Sequence, residues 1–251
     1  MKQHALSRSL VSVLAGSWLI WAVSGPSSAL PLGGHQQHTK FAYAPQANAH
    51  GHTQAEWSAK WWDWFCERPL AGHPGNDGPF DVTAGQTGDV WFLASPTAYD
   101  ASTSFTRSCT LPADKSLFVM LIGSEWSSLE GLSTEQEQRD LAVWYGDHIL
   151  PSSLSCTLDG AALANPAAYR HESAQFSFDA PSPWFFGDTG GAGTSVADGY
   201  YVFLKELEAG PHTLNYTGQV HFTAAADGFD FDAWINVTYN ITQLDDACAG
   251  D

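Results

Sequence analysis

The chain has 251 residues, of which 44% are hydrophobic, and 27 acidic against 10 basic residues give it a formal net charge of −17. Nucleic acids and anionic membrane surfaces are bound through Lys and Arg, so this composition argues against both as partners. An acidic surface in contact with water explains the charge, and attraction of cations is the alternative. The length fits one sizeable β-rich domain.

The N-terminal segment, residues 1–29, has the three parts of a secretory signal. Lys2 and Arg8 give a positive start, residues 10–23 are apolar, and small residues end the segment at Ala29. The apolar part is short compared with the about 20 residues that a membrane-spanning helix needs, although an uncleaved anchor is the alternative. We therefore expect a cleaved signal peptide, a secreted or periplasmic protein, and no membrane span after cleavage.

A polar leader follows at residues 30–52 and contains four histidines: His35, His38, His50 and His52. A metal-binding tail is one interpretation of these histidines. Their spacing is irregular, and no acid or cysteine completes a site. We therefore expect a disordered leader and neither a metal nor a cofactor. Residues 53–251 are expected to form the single β-rich domain.

The first predicted helix contains four tryptophans within eight positions, in the segment AEWSAKWWDWFC. Thr53 and Glu56 match a capping box and place the start of the helix. One helical stripe is formed at positions i, i+4, i+7 and i+8 by Trp57, Trp61, Trp64 and Phe65. This predicts that the stripe packs in the core, whereas Trp62 lies off the stripe.

A second helix is predicted at about residues 134–149. Ser133 and Gln136 can form its capping box, and Pro151 follows its end. Its apolar stripe is expected to consist of Leu141, Trp144, Tyr145 and Ile149.

The other segments predict strands. Residues 89–94, 116–123 and 199–207 are short apolar runs that are typical of buried strands. Residues 213–223 and 229–242 alternate between apolar and polar side chains, as strands with one face in water do, and a short connection between them predicts a hairpin. The fold class predicted is mainly β, a single-domain β-sandwich or jelly roll with about two helices.

The chain contains four cysteines, Cys66, Cys109, Cys156 and Cys248. An even number in an exported chain predicts two disulfides, for which three connectivities exist. We take Cys66–Cys109 and Cys156–Cys248 as the expected pairing. Free thiols or a metal site are the alternatives, and the wide spacing argues against a zinc site made of cysteines alone.

Candidate catalytic acids are few. The G-x-S-x-G, H-E-x-x-H and P-loop motifs do not occur in the sequence. Residues 188–190 are the Asp-Thr-Gly tripeptide of aspartic proteases, but those enzymes need two such carboxylates and the chain has one. Glu125 follows an apolar run and is the acid most worth considering for binding or catalysis, with a solvated loop residue as the alternative.

Trp234 interrupts the polar face of the last predicted strand, with Asp232 and Asn236 on either side of it on that face. An exposed indole with carboxylate and amide neighbours suits stacking on a sugar and hydrogen bonding to its hydroxyls. The alternative is that Trp234 packs under a helix or loop, because tryptophan is mostly buried in proteins.

Several blocks of the sequence resemble a family of exported bacterial proteins of uncharacterised function with an E-W-S-x-K-W-W-x-W segment. The blocks are AEWSAKWWDW, VWFLA, RSCTLPADKSLFV, VADGYYVFLKELEAGPHTLNYTG and VTYNIT, and they span about residues 55–242. Trp126 stands where several members have a cysteine, so a disulfide pattern does not carry over from the family. The resemblance implies an exported single domain and no particular activity.

Three functions remain open from the sequence. The first is a non-catalytic extracellular binding domain, with a glycan or another extracellular molecule as its ligand. The second is a hydrolase that uses carboxylates such as Glu125, Asp188 or Asp232, and the third is a structural envelope protein. Acids clustered in a cleft would favour the hydrolase, and a flat exposed aromatic face would favour the binding domain.

Overall fold

The computed structural model describes residues 41–78, 80–96 and 103–245. The predicted signal peptide, residues 1–29, and Cys248 lie outside the described residues. Strands make up 43% and helices 20% of the structure, and the strands form two mixed sheets, one of them curled into a half-barrel. The prediction of a mainly β fold is therefore confirmed.

The first sheet has the strand order β1, β3, β8, β6, with β7 also paired to β8. Its strands are β1 (Val90–Leu93), β3 (Ser116–Ser127), β6 (Arg170–Glu172), β7 (Phe176–Ala180) and β8 (Gly191–Leu204). β1 runs parallel to β3, and all other pairs in this sheet are antiparallel. The three predicted apolar strands all lie here, as expected for the sheet that is covered on both faces.

The second sheet has the strand order β2, β10, β9, β4, β5. Its strands are β2 (Thr103–Leu111), β4 (Ser155–Leu158), β5 (Ala161–Ala162), β9 (Gly210–Phe222) and β10 (Phe231–Gln243). β9 and β10 form the predicted antiparallel hairpin, and their connection contains a short helix, α3 (Ala224–Asp227). Along β10 buried and solvent-facing residues alternate, which confirms the predicted wet face.

The main hydrophobic core lies between the inner faces of the two sheets. The first sheet contributes Leu117, Val119, Leu121, Val202 and Leu204, and the second contributes Leu214, Tyr216, Val220, Val237, Tyr239 and Ile241. This interdigitation of two inner faces is the packing of a β-sandwich.

Helix α1 (Gln54–Cys66) covers the other face of the first sheet. Thr53 and Glu56 form the predicted capping box. The indole N–H groups of Trp57, Trp61 and Trp64 each donate to a backbone carbonyl oxygen, at 2.9, 3.0 and 2.9 Å. Because these indoles are buried with their one donor satisfied, the predicted core stripe is confirmed.

The side chain of Trp62 is buried, although helical periodicity placed it off the core-facing stripe. Its side chain is only 3% exposed, and its Nε1 donates to the Tyr201 hydroxyl at 2.8 Å. The ring of Phe186 lies 6.4 Å from the Trp62 ring and covers that flank of the helix. A loop distant in sequence therefore buries a residue that helical periodicity alone places off the core stripe.

Helix α2 (Glu135–Asp147) begins one residue later than predicted, because Thr134 and Glu137 form the capping box. Its buried positions are Gln138, Ala142 and Gly146, whereas the predicted Leu141, Trp144 and Tyr145 are half-buried. A Cβ at Gly146 would lie 2.7 Å from an Asp198 carboxylate oxygen, so the helix approaches β8 along its small residues. None of the helices in the described residues is long and apolar enough to cross a membrane.

The N-terminal boundary of the fold differs from the predicted one. Residues 41–52 belong to the predicted disordered leader, but the Tyr43 backbone N–H donates to the Phe203 carbonyl at 2.8 Å. Ala42 and Ala49 are buried. The folded part therefore begins before residue 53.

The predicted disulfides are not present in the described residues, where Cys66, Cys109 and Cys156 are buried and unpaired. The Cys66–Cys109 pairing is wrong because Cys66 lies in the cluster under α1, whereas Cys109 lies between the sheets. Cys156 is unpaired as well, and Cys248 is outside the described residues. Burial raises the pKa of the Cys109 and Cys156 thiols to about 12, which makes them poor nucleophiles.

Candidate functional site

A cavity of about 180 Å³ lies at the end of the sandwich where β3 and β9 finish and β10 begins. We call it the acid pocket. Helix α1 contributes Trp62 and Phe65 to its wall; the remaining wall is formed by Ser95, Pro96, Met120, Ile122, Gly123, Ser124, Glu125, Trp126, Glu130, Tyr145, Phe186, Val220, Phe231, Ala233 and Ile235. Most of these side chains are apolar, as is typical of small-molecule sites.

An irregularity in β3 makes room for the acid pocket. The pairing of β3 with β8 shifts between Met120 and Ile122, which is a β-bulge. A bulge bends a strand and redirects its side chains. Directly after it, Gly123 lies so close to β8 that a Cβ there would be 2.9 Å from the Asp198 carbonyl oxygen. Gly123 thus allows β3 and β8 to approach closely at the point where the residues after the bulge line the pocket.

Glu125 lies on β3 in the wall of the acid pocket and is only 5% exposed. Burial and the nearby Glu130 raise the pKa of the Glu125 carboxyl well above its usual range. Its Oε2 accepts a hydrogen bond from the Ser195 hydroxyl, which also lies 2.8 Å from the Trp126 carbonyl oxygen. This side of the Glu125 carboxyl therefore has a partner within the protein.

Glu130 is the second acid of the pocket and ends a 3₁₀ turn that follows β3. Its Oε2 accepts from the Ser127 backbone N–H at 2.9 Å and from the Ser127 hydroxyl at 3.0 Å. Burial nevertheless raises the pKa of Glu130 to about 7. Because Glu125 and Glu130 lie close together, their carboxyls titrate as a coupled pair, and both have a raised pKa.

Three consecutive residues of β3 that line the pocket each have a buried polar atom without a hydrogen-bond partner: Ser124 Oγ, Glu125 Oε1 and Trp126 Nε1. An unsatisfied buried polar group costs about 1–3 kcal/mol, and such groups are rare in folded proteins. Because side chains alternate along a strand, Glu125 points to the opposite face from Ser124 and Trp126.

The predicted binding residues do not lie together. Glu125 is in the acid pocket and not in a solvated loop. Asp232, Trp234 and Asn236 lie on the outer face of the second sheet, because their neighbours Phe231, Ala233 and Ile235 point inward. The alternation of the strand thus separates them from Glu125 by the thickness of the sheet.

Trp234 is 36% exposed on this outer face. Asp232 accepts a hydrogen bond from His221 at 2.6 Å, which lowers the pKa of Asp232. The Asn236 side-chain oxygen accepts from Asn215 at 2.8 Å. Both polar neighbours of the indole are therefore already engaged within the sheet.

The carboxylates of the hydrolase hypothesis are not brought together either. Asp188 and Asp232 are exposed and do not line the acid pocket. Glu130, which does line it, was not among the predicted site residues. The sequence does contain a pattern that marks Glu130, because Ser127 and Glu130 have the spacing of a capping box directly after a strand.

The described residues contain no group of three or more His, Cys, Asp or Glu that could hold a metal ion. Comparison with protein families, curated proteins and solved structures finds no match to the chain. The resemblance to exported bacterial proteins therefore stays a prediction.

Proposed function

We propose that the chain is an exported binding domain that takes a small, mostly apolar molecule with one polar head into the acid pocket. The observation that carries this proposal is the buried and unpartnered Glu125 Oε1 on a residue that lines a mostly apolar cavity. A ligand head that donates a hydrogen bond would satisfy it. The apolar walls would hold the remainder of the molecule.

The size of the cavity limits the ligand. A cavity of about 150 Å³ in another protein holds benzene, and the acid pocket measures about 180 Å³. A single ring with a short polar substituent therefore fits, whereas an oligosaccharide does not. Water alone would satisfy Glu125 Oε1 but would leave the apolar walls without partners.

Benzyl alcohol is expected to bind the protein with a Kd of about 1 mM or below, which corresponds to roughly −4 kcal/mol. That value is about −0.5 kcal/mol per non-hydrogen atom, well inside the limit for very small ligands. Isothermal titration calorimetry measures the Kd of benzyl alcohol. Ala233→Leu should weaken binding at least tenfold, because Ala233 is buried on β10 and its enlarged side chain fills the cavity.

Ala162→Leu is the matched control, since Ala162 is exposed on β5 and lies outside the pocket. It should leave the affinity for benzyl alcohol unchanged. Absence of binding to the wild-type protein at 20 mM ligand would show that the acid pocket is not a small-molecule site. Equal affinities of the two Leu variants would place the bound ligand elsewhere.

A second candidate function is glycan binding at the outer face of the second sheet, and the exposure of Trp234 supports it. Apart from Asp232 and its partner His221, many residues of this face on β2, β10 and β9 bear hydroxyl or amide groups: Ser104 and Thr106, Asn236 and Thr238, and Thr217 and Asn215. An indole on a flat polar face suits stacking on a sugar ring. Asp232 and Asn236 would have to exchange their present hydrogen bonds for bonds to sugar hydroxyls.

Trp234→Ala is expected to change the free energy of unfolding by less than about 0.5 kcal/mol, because exposed substitutions have small effects. If the outer face binds glycans, the same variant loses retention on insoluble neutral polysaccharides that retain the wild type. Pull-down with cellulose, chitin and starch tests this, with Leu244→Ala, also exposed, as control. Equal retention of both variants and the wild type would rule out Trp234 as the platform.

A further inference from the structure

The acid pocket holds two carboxyl groups without a cationic partner, whereas two other enclosed acids of this fold have one. Asp198 is paired with Arg170 at 2.6 Å, and Asp227 is paired with His148 at 2.9 Å. No Lys, Arg or His is among the residues that line the acid pocket in the described part of the chain. An enclosed carboxyl is ordinarily paired, bound to a metal or neutralised by a proton, so a bound cation would supply the partner that the pocket lining lacks.

The walls of the acid pocket are aromatic, which suits the binding of an organic cation. Six aromatic side chains line it: Trp62, Phe65, Trp126, Tyr145, Phe186 and Phe231. Aromatic faces attract organic cations, and this attraction is strongest where water is excluded. The net charge of −17 adds a long-range attraction for cations.

We infer that the ligand of the acid pocket is a small organic ammonium ion, bound between the Glu125–Glu130 pair and the aromatic walls. This inference rests on the proposed function. An ammonium N–H group would donate to the unpartnered Glu125 Oε1.

Binding of an ammonium ion is coupled to the proton of the acid pair. The cation stabilises the ionised form of both carboxyls, so a proton leaves the pair for solvent while the ammonium keeps its own. The other ionisable groups around the pair are Cys66 on α1, Tyr145 on α2 and Tyr201 on β8. Burial raises the pKa of all three, so they stay neutral over the pH range concerned.

Benzylamine and benzyl alcohol are nearly equal in size and differ mainly in charge, so their comparison tests the inference. At pH 8 we expect benzylamine to bind at least tenfold more tightly than benzyl alcohol, and benzoate not to bind. Calorimetry in two buffers of different ionisation enthalpy should show proton release near pH 7. Below pH 7 the affinity for benzylamine should fall by up to about tenfold per pH unit.

Glu125→Gln and Glu130→Gln should each reduce the preference for benzylamine over benzyl alcohol, whereas the exposed Glu206→Gln should keep it. Thermal unfolding shows whether each variant is folded. If a variant is not folded, the pH dependence of benzylamine binding to the wild type tests the inference instead. Binding of both ligands with equal affinity would overturn the ammonium inference and leave the proposed pocket standing. Failure of both ligands to bind would overturn the pocket as well. A preference that survives in both Gln variants would also overturn the inference.

Discussion

Trp61→Ala is expected to lower the free energy of unfolding by about 3–5 kcal/mol, the usual cost of truncating a buried aromatic side chain. Trp61 is fully buried, and its ring stacks on Phe65 with centroids 5.0 Å apart. Its Nε1 donates to the Leu93 carbonyl at 3.0 Å, so truncation also leaves a buried acceptor unpaired. Both effects weaken the packing of α1 against the first sheet.

Urea denaturation followed by circular dichroism measures this loss. Trp62→Ala should cost more than about 2 kcal/mol in the same experiment, since Trp62 is 3% exposed and bonded to Tyr201. It should also alter ligand affinity, because Trp62 lines the acid pocket and Trp61 does not. A loss below 1 kcal/mol for Trp61→Ala would mean that α1 is not docked on the sheet as described.

Glu130→Gln is expected to stabilise the protein at pH 8 by on the order of 2–3 kcal/mol and to have little effect at pH 4.5. The Glu130 carboxyl ionises near its ordinary 4.5 in the unfolded chain but at about 7 in the native state. Between these values the native state binds more protons than the unfolded state. The contribution of Glu130 to the free energy of unfolding is therefore fully present below pH 4.5 and is lost as the pH rises through about 7. The variant Glu130→Gln does not show this loss.

The difference between variant and wild type is the quantity to measure, because other groups also titrate. Burial lowers the pKa of His73 and His171 to about 4, and these residues destabilise the native state as pH falls below 6.5. Their effects cancel when denaturation curves of the two proteins are subtracted at each pH. The exposed Glu206→Gln should give a flat difference. A flat difference for Glu130→Gln would show that the acid pocket does not raise the pKa of Glu130.

Elements that depend on neighbouring residues in the chain were predictable from the sequence. The Thr53–Glu56 capping box places the start of α1, and the periodicity of its tryptophans identifies the stripe that meets the sheet. The alternation over residues 229–242 predicts β10 and its outward face, on which Trp234 is exposed. Helical and strand periodicities are properties of the backbone, so residue order alone expresses them.

Contacts between distant segments decided the rest. Phe186 covers Trp62, which helical periodicity places off the stripe. The first sheet separates Cys66 from Cys109, although an even cysteine count favours pairing.

The chemistry of the acid pocket also depends on contacts between segments that are distant in the chain. Glu125 is a buried acid with a raised pKa and not a solvated loop residue, because β8 packs beside it with Ser195 and Glu130 follows in the next turn. Whether a carboxyl is solvated depends on what packs around it, and the packing joins residues far apart in the chain. The sequence by itself therefore determined the helical stripe and five of the ten strands of the described residues: β1, β3, β8, β9 and β10. The acid pocket exists only through the tertiary structure.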